Sequence, residues 1–285
     1  MANQQVPEGG RSLSKSVFYG ILLGVAFLLS VLIVRELFLV LVGTAIGFAV
    51  WELSSALRLK GWYVPRVPSV IGSVLIFPAT YYWGAVGQWG FTLATSLALM
   101  VWRLVHILAE KRRSVSQTFG ETIKDLAAAA FVVIYLPLTM SFSVLLLRRE
   151  HDGAAWLLSF VVPVALIDTF GYLVGRKLGR HKMAPGVSPK KTWEGLLASV
   201  VAGSISTVLL VTFVVGIAWW YGVILAGLLI LAAVFGDLAE SLIKRDLGVK
   251  DMSSLLPGHG GIMDRLDSML PAALVTYAFV TVFGL

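Results

Sequence analysis

Residues 17–51, VFYGILLGVAFLLSVLIVRELFLVLVGTAIGFAVW, decide the fold class because Arg35 and Glu36 are the only charges in the run. A membrane-spanning helix needs about 20 apolar residues. The run is too long for one ordinary span, so it predicts two spans, 17–34 and 37–57, joined by a tight turn. No small-residue cleavage site interrupts the first of them, which we therefore interpret as a retained span and not a signal peptide.

Similar apolar runs recur along the whole chain of 285 residues, which is 58% hydrophobic and 14% charged, with a mean hydropathy of +0.85. Soluble domains carry about 25% charged residues. The composition predicts an all-α fold, a polytopic integral membrane helix bundle that forms one continuous membrane domain. For description we divide it into an N-terminal membrane-spanning region, 1–150, and a C-terminal membrane-spanning region, 151–285. The chain has no cysteine, which excludes disulfides and thiolate metal sites.

The 20-residue criterion predicts about nine spans. Their approximate positions are 17–34, 37–57, 67–86, 89–109, 125–147, 154–176, 195–216, 218–240 and 268–285. With the N-terminus in the cytoplasm, every Lys and Arg except Arg35, Arg148 and Arg149 falls on the cytoplasmic side. This asymmetry is typical of an odd number of spans with the N-terminus inside. Topology and anionic lipid headgroups therefore account for the net charge of +7, and no nucleic-acid partner is needed.

The most polar stretch is SLIKRDLGVKDMSSLLPGHGGIMDRLDS, residues 241–268, which begins in the last cytoplasmic loop. Glycines around His259 allow backbone N–H groups to approach a phosphate, and the helix N-terminus that follows adds a favourable dipole. His259 is a candidate hydrogen-bond donor or acid. The alternative is an ordinary glycine-rich turn beside topology charges. The basic residues that supply the several donors a phosphate needs are Lys244, Arg245, Lys250 and Arg265.

Carboxylates in and before this stretch form a candidate metal site. Asp264 and Asp267 are three residues apart and share one face if the segment is helical. Asp237, near the end of the eighth span, could complete the cluster, and oxygen ligands without cysteine favour a hard cation such as Mg²⁺. The alternative is helix capping and ion pairing, with Asp264 paired to Arg265 or Lys244.

A second polar island begins at Asp168 in the sixth span. An acid inside a membrane span is a functional-site candidate, although it could also bond only to a neighbouring Ser or Tyr. Further along, Ser188 is a candidate N-cap with Pro189 at the first helical position. With this cap, the residues that crowd an anion-binding helix N-terminus are Lys190, Lys191 and Thr192. The alternative for this island is a basic loop that touches anionic lipid.

Together, the two islands resemble the phosphatidate cytidylyltransferases, also called CDP-diacylglycerol synthases. The matching positions are Ser241, Lys244, Arg245, Lys250, Asp251, Ser253, Pro257, His259, Gly260, Gly261, Asp264, Arg265 and Asp267, with SPKKTWEG and the Asp168-to-Tyr172 segment as a second block. The resemblance covers roughly residues 165–268, whereas the first half matches in hydropathy and span layout. Gly171 departs from the alanine expected in the family.

The resemblance implies transfer of CMP from CTP to phosphatidic acid, which gives CDP-diacylglycerol and pyrophosphate with Mg²⁺ or another divalent cation. It implies a site on the cytoplasmic face of a cytoplasmic or inner membrane, and it admits a second cation and a homodimer. The implied catalytic residues are Asp237, Asp264, Asp267 and His259, the three aspartates being also the metal ligands. The implied substrate-binding residues are Asp168, Ser188, Lys190, Lys191, Thr192, Lys244, Arg245, Lys250, Asp251, Gly260, Gly261 and Arg265.

Two alternative functions stay open at this point. A secondary transporter also places acids in its spans, but near the midplane and without a strict pattern of basic loop residues. A different CTP-dependent lipid enzyme, such as a polyprenol or dolichol kinase or an ether-lipid CDP synthase, would use similar chemistry. A CDP-alcohol phosphotransferase is disfavoured because the Asp-Gly-x-x-Ala-Arg run of that family is missing.

Overall fold

The computed structural model describes residues 24–109, 115–184, 188–253 and 260–285. For residues 115–118, 184, 189 and 190 it describes the backbone only. It is helical almost throughout, which confirms the all-α prediction. The helices are α1 (24–32), α2 (Arg35–Leu59), α3 (Arg66–Ala109), α4 (Val115–Val133), α5 (Thr139–Leu147), α6 (Gly153–Leu178), α7 (Trp193–Leu210), α8 (Trp219–Leu247), α9 (Met263–Leu266) and α10 (Met269–Phe283). Two π-helical segments, Ile134–Leu138 and Val211–Val215, continue α4 into α5 and extend α7, and β1 (Lys182–Ala184) pairs antiparallel with β2 (Ser188–Thr192).

Seven helical segments in the described part of the chain are long and apolar enough to cross a membrane. One of them, α3, has 44 residues and at 1.5 Å per residue is about twice as long as the roughly 30 Å hydrocarbon core requires. It bends at Gly84, where φ is 63° and ψ is −141°, so it contains the predicted third and fourth spans. The first predicted span begins outside the described residues. The total of nine and the cytoplasmic N-terminus stay predictions.

The breaks between the other predicted spans lie close to their expected positions. The first turn falls at Ile33 and Val34, one residue before the charged pair expected to form it. Arg35 instead begins α2, and its guanidinium donates to the carbonyl oxygens of Arg149 (3.2 Å) and Glu150 (3.0 Å). Near the seventh and eighth spans, Gly216 has a left-handed φ of 83° and ends the π segment before α8 begins.

Asp152 ties the loop between α5 and α6 to the start of α6. Two nitrogens of Arg149 donate to its carboxylate at 2.8 Å each, and Nε1 of Trp156 donates at 2.8 Å. The hydrogen-bonded Arg149 guanidinium holds the pKa of Asp152 below its usual range. A single apolar core cluster includes buried side chains from both halves of the chain, such as Phe38 and Leu270.

The prediction for Ser188 as a helix N-cap is wrong. Residues Ser188–Thr192 form β2, because they pair with β1 across the hairpin. The helix begins at Trp193, and the N-cap is Thr192, whose Oγ1 accepts a hydrogen bond from the Gly195 backbone N–H at 3.2 Å.

Replacing Gly84 by alanine is expected to destabilise the protein by about 2 kcal/mol. The positive φ is strained for any residue with a Cβ, and a Cβ at this position would lie 2.1 Å from Nη1 of Arg148. The measurement is the thermal unfolding midpoint in detergent. Gly90→Ala is the matched control on the same helix, because an added Cβ there meets nothing within 4 Å. Equal midpoints for the two variants would contradict this account of the bend.

Candidate active site

A cavity of about 840 Å³ lies between the β hairpin and the ends of α6, α7, α8 and α9. Its lining is rich in charged side chains, although the elements that form it are otherwise apolar. The cavity brings together most of the predicted site residues. Those that line it are Asp168, Ser188, Lys191, Thr192, Asp237, Lys244, Asp251, Asp264, Arg265 and Asp267.

Close packing of α6 on α7 forms one wall of the cavity. A Cβ at Gly171 would lie 2.4 Å from Oγ of Ser199, and a Cβ at Gly195 would lie 2.7 Å from the Gly171 carbonyl oxygen. Ser199 in turn donates to the Ile167 carbonyl oxygen at 2.7 Å. The missing side chain at Gly195 lets the two helix backbones approach each other, whereas the departure from the family pattern at Gly171 leaves room for the Ser199 hydroxyl.

One ion pair joins the hairpin to α8. Lys191, on β2, places its Nζ 2.6 Å from Oδ2 of Asp237. Both side chains are partly exposed, at 21% and 35%, so the pair stays in contact with the cavity. The predicted basic island at the hairpin thus meets the predicted carboxylate cluster directly.

A second set of ion pairs, centred on Lys244, lines the cavity. Lys244 donates to Oε2 of Glu240 and to Oδ1 of Asp264, each at 2.8 Å. The second oxygen of Asp264 accepts from the backbone N–H groups of Gly261 (2.7 Å) and Met252 (3.2 Å). The ion-pairing alternative that the sequence left open for Asp264 is therefore present, and it holds this carboxylate in a fixed orientation.

Ser268 makes two further hydrogen bonds to carboxylates of the cluster. Ser268 directs its Oγ towards Oδ1 of Asp168 at 3.3 Å, and its backbone N–H donates to Oδ1 of Asp267 at 2.7 Å. Asp168, Asp237 and Asp267 all line the same cavity. The sequence left open that Asp168 bonds only to a neighbouring serine or tyrosine. The serine contact is present, and because Ser268 also bonds to Asp267, it places Asp168 inside the acidic cluster.

Several predicted residues take other positions. Arg245 and Lys250 are exposed and lie outside the set of described residues that line the cavity. Gly260, with a left-handed φ of 82°, and Gly261 pack against carboxylates instead, since added Cβ atoms would lie 2.9 Å from Oδ2 of Asp264 and 2.7 Å from Oε2 of Glu52, respectively. His259 lies outside the described residues, as does the side chain of Lys190.

The sequence predictions assigned no role to two acids that the structure buries. Glu240 is 1% exposed and follows Asp237 by one helical turn, a spacing that is visible in the sequence. Glu52 on α2 is 2% exposed and accepts hydrogen bonds from the backbone N–H groups of Ile262 and Met263 at 3.0 Å each, and from the Ser253 hydroxyl. An isolated acid within an apolar span was the signal for Glu52.

The cavity offers the oxygen donors that a hard divalent cation prefers. Oε1 of Glu240 is buried and accepts no hydrogen bond from a donor among the described residues, so it can serve as a ligand to a cation. Among the described residues, no group of three or more acidic or histidine side chains is already arranged to hold a metal ion. Mg²⁺ commonly uses one or two carboxylates together with substrate phosphates, so the set of oxygen ligands fits this ion without a preformed group of three.

Comparison with known proteins shows similarity along almost the whole chain. A model of the cytidylyltransferase family matches residues 14–283. The phosphatidate cytidylyltransferase of Mycobacterium leprae (strain TN) is 36% identical, over 98% of this chain and 91% of its own length. That of Mycobacterium bovis is 35% identical over 97% and 91%, and that of Brucella abortus is 38% identical over 55% and 57%. The similarity thus extends well beyond residues 165–268.

Proposed function

Because the chain belongs to the cytidylyltransferase family, we propose that it transfers the CMP group of CTP to phosphatidic acid. The products are CDP-diacylglycerol and pyrophosphate, and the protein is an integral membrane nucleotidyltransferase of phospholipid biosynthesis. The observation that carries the proposal is the cavity in which Lys191 and Lys244 meet Asp237 and Asp264 between membrane helices. Two highly anionic substrates need such an arrangement of fixed charges.

The reaction joins an oxygen of the phosphatidate headgroup to the α-phosphorus of CTP and breaks the bond to the β-phosphate, so that pyrophosphate leaves. Phosphatidate arrives as an anion, and no strong general base is required. The protein must align the reacting atoms and stabilise the charge that moves to the leaving group. Lys191, Lys244 and Arg265 line the cavity and would hold the phosphates of CTP and of the lipid headgroup.

We assign a divalent cation, Mg²⁺ by its preference for oxygen donors, to Asp237, Asp264 and Asp267. Glu240 joins this set because its Oε1 has no other partner among the described residues. When bound, the cation would neutralise charge on the pyrophosphate leaving group. Lys191 contacts Asp237, and Lys244 contacts Glu240 and Asp264, so the two lysines keep these carboxylates oriented. The four carboxylates outnumber the two lysines, and the excess negative charge favours a cation. A second cation stays a prediction.

The position of the cavity supports a site on the cytoplasmic face. It lies at the C-terminal ends of α6 and α8 and at the N-terminal ends of α7 and α9, where the positive-inside pattern puts the basic loops. Ile167, Leu196, Ala233 and Val234 form an apolar part of the lining. We propose that the acyl chains stay in the bilayer while the headgroup enters here. The homodimer remains a prediction from the family resemblance.

The test is an assay of the purified protein with α-phosphate-labelled CTP and phosphatidic acid, with and without Mg²⁺. We expect label in CDP-diacylglycerol and an equal amount of pyrophosphate, both dependent on the cation. A lipid kinase would release CDP instead, and a transporter would release neither product. Diacylglycerol in place of phosphatidic acid is the substrate control and should give no labelled lipid. Pyrophosphate release that does not depend on the presence of phosphatidic acid would overturn the proposal.

Replacing Lys191 by alanine is expected to raise the Michaelis constant for at least one substrate about tenfold, because one charge-assisted contact to phosphate is lost. Steady-state kinetics with each substrate varied in turn measure this effect. Lys60→Ala, an exposed lysine at the end of α2, is the control for general surface charge. Unchanged constants for both CTP and phosphatidic acid would show that Lys191 serves only as a topology charge.

A further inference from the structure

The basic residues that line the cavity differ in whether a carboxylate already neutralises them. Lys191 and Lys244 form ion pairs with acids of the cluster at 2.6 to 2.8 Å. Arg176, near the end of α6, also lines the cavity but forms no ion pair with an acid among the described residues. Its Nη1 donates instead to a neutral group, the hydroxyl of Tyr172, at 3.1 Å. The positive charge of Arg176 is therefore available to an anion in the cavity.

The position of Arg176 on α6 relates it to the acidic cluster. Asp168, Tyr172 and Arg176 follow one another at intervals of four residues, and all three line the cavity. Residues four apart share one face of a helix. Asp168 is at the inner end of this face, where Oγ of Ser268 lies 3.3 Å from its Oδ1. At 1.5 Å per residue, the Cα of Arg176 is about 12 Å further along the axis, towards the predicted cytoplasmic end.

This face of α6 borders the outer surface of the helix bundle. Tyr172 is 60% exposed although it lines the cavity, so the cavity is open beside it. Its neighbours Phe170 and Leu173 are exposed apolar side chains on a helix apolar enough to cross a membrane. A tyrosine in such a place is typical of the membrane–water interface. A lipid whose acyl chains stay in the bilayer can therefore present its headgroup to this opening.

We propose that Arg176 binds the phosphate of phosphatidic acid, with the Tyr172 hydroxyl holding the guanidinium in place. A guanidinium can form two parallel hydrogen bonds with phosphate oxygens, which a lysine cannot do. Lys182 also lines the cavity, but it is on β1 of the hairpin and not on a membrane-spanning helix, so it is less suited to a lipid headgroup. This inference rests on the proposed function, since it assigns one substrate to a part of the same site.

The test is steady-state kinetics of Arg176→Ala with CTP and phosphatidic acid varied in turn. The Michaelis constant for phosphatidic acid should rise about tenfold, because a charge-assisted contact is lost, and that for CTP should change less than about twofold. Arg176→Lys keeps the charge but not the planar pair of donors, and should give an intermediate constant. Lys177→Ala is the matched control. It removes the same charge from the next residue, which is exposed and outside the described cavity lining, and should leave both constants unchanged.

Direct binding separates this inference from the proposed function. Calorimetric titration of dioctanoyl phosphatidic acid into the purified protein, without CTP, measures the contact even if the protein releases no pyrophosphate. We expect wild type to bind this lipid, Arg176→Ala to bind it about tenfold more weakly, and Lys177→Ala to bind it as wild type does. Dioctanoylglycerol, which lacks the phosphate, should not compete.

Three results would overturn the proposal. The first is a raised Michaelis constant for CTP alone, which would place Arg176 at the nucleotide. The second is a dissociation constant for dioctanoyl phosphatidic acid that Arg176→Ala leaves unchanged, or no binding of this lipid to wild type. The third is equal weakening by Arg176→Ala and Lys177→Ala, which would show a general effect of surface charge on an anionic lipid.

Discussion

Asp264→Asn and Asp267→Asn are each expected to lower turnover at least about 100-fold while the protein stays folded in the membrane. Asparagine keeps the size of the side chain but removes its negative charge. At position 264 the change weakens the contact to Lys244 and places an amide where Gly261 and Met252 N–H groups donate. At position 267 it removes one of the charges that we assign to the cation.

The measurement is the initial rate of CDP-diacylglycerol formation over a range of Mg²⁺ concentrations, with gel filtration and thermal unfolding as tests of folding. Asp246→Asn is the matched control, because Asp246 is an exposed carboxylate on α8 outside the cavity lining. Either site variant with near wild-type activity at ordinary Mg²⁺ would show that the metal assignment is wrong. Activity restored only at high Mg²⁺ would support it, since a weakened site needs more of the ion.

Glu52→Ala is expected to lower both stability and activity, although Glu52 lies far from the C-terminal motifs in sequence. The carboxylate is the acceptor for two backbone N–H groups and one hydroxyl. Truncation leaves these donors unpaired in a buried place, at a cost of about 3 kcal/mol in the free energy of unfolding. Because Met263 directly precedes Asp264, we also expect kcat to fall about tenfold or more.

Glu52→Gln separates the two effects. The amide keeps one oxygen acceptor and the side-chain volume, so it should unfold at a temperature between those of wild type and Glu52→Ala. Thermal unfolding and steady-state kinetics on the same preparations measure both quantities. Glu36→Gln, an exposed acid on the same helix, is the control. A Glu52→Ala enzyme with the kinetics of wild type would show that this carboxylate does not position the site.

The sequence predicted the membrane fold well because span length is set by the bilayer, a property that needs no tertiary information. It also identified most of the cavity, since charges in or beside a span are too costly to occur without a partner. Ser188 shows the limit of local patterns. Its Ser-Pro sequence is typical of a helix start, but pairing with Lys182–Ala184 draws it into a strand. No pattern within one segment contains that partner.

Glu52 was missed for a related reason. Its role depends on contacts with residues more than 200 positions away. A lone acid in an apolar run indicates that a partner exists without identifying it. Arg245 and Lys250 match the motif but are exposed and absent from the described cavity lining, so their assignment to the substrates stays a prediction.

The hydrogen bonds of Glu52 also have a consequence for biogenesis. Its backbone partners Ile262 and Met263 lie 210 and 211 residues later in the chain. Contacts so distant in sequence form late, because the whole intervening chain must be made and its helices inserted before the two ends can meet. The nascent protein therefore holds Glu52 without its two backbone N–H donors until translation is nearly complete. A chain that terminates shortly before Ile262 can insert most of its helices and still never form the backbone hydrogen bonds of Glu52.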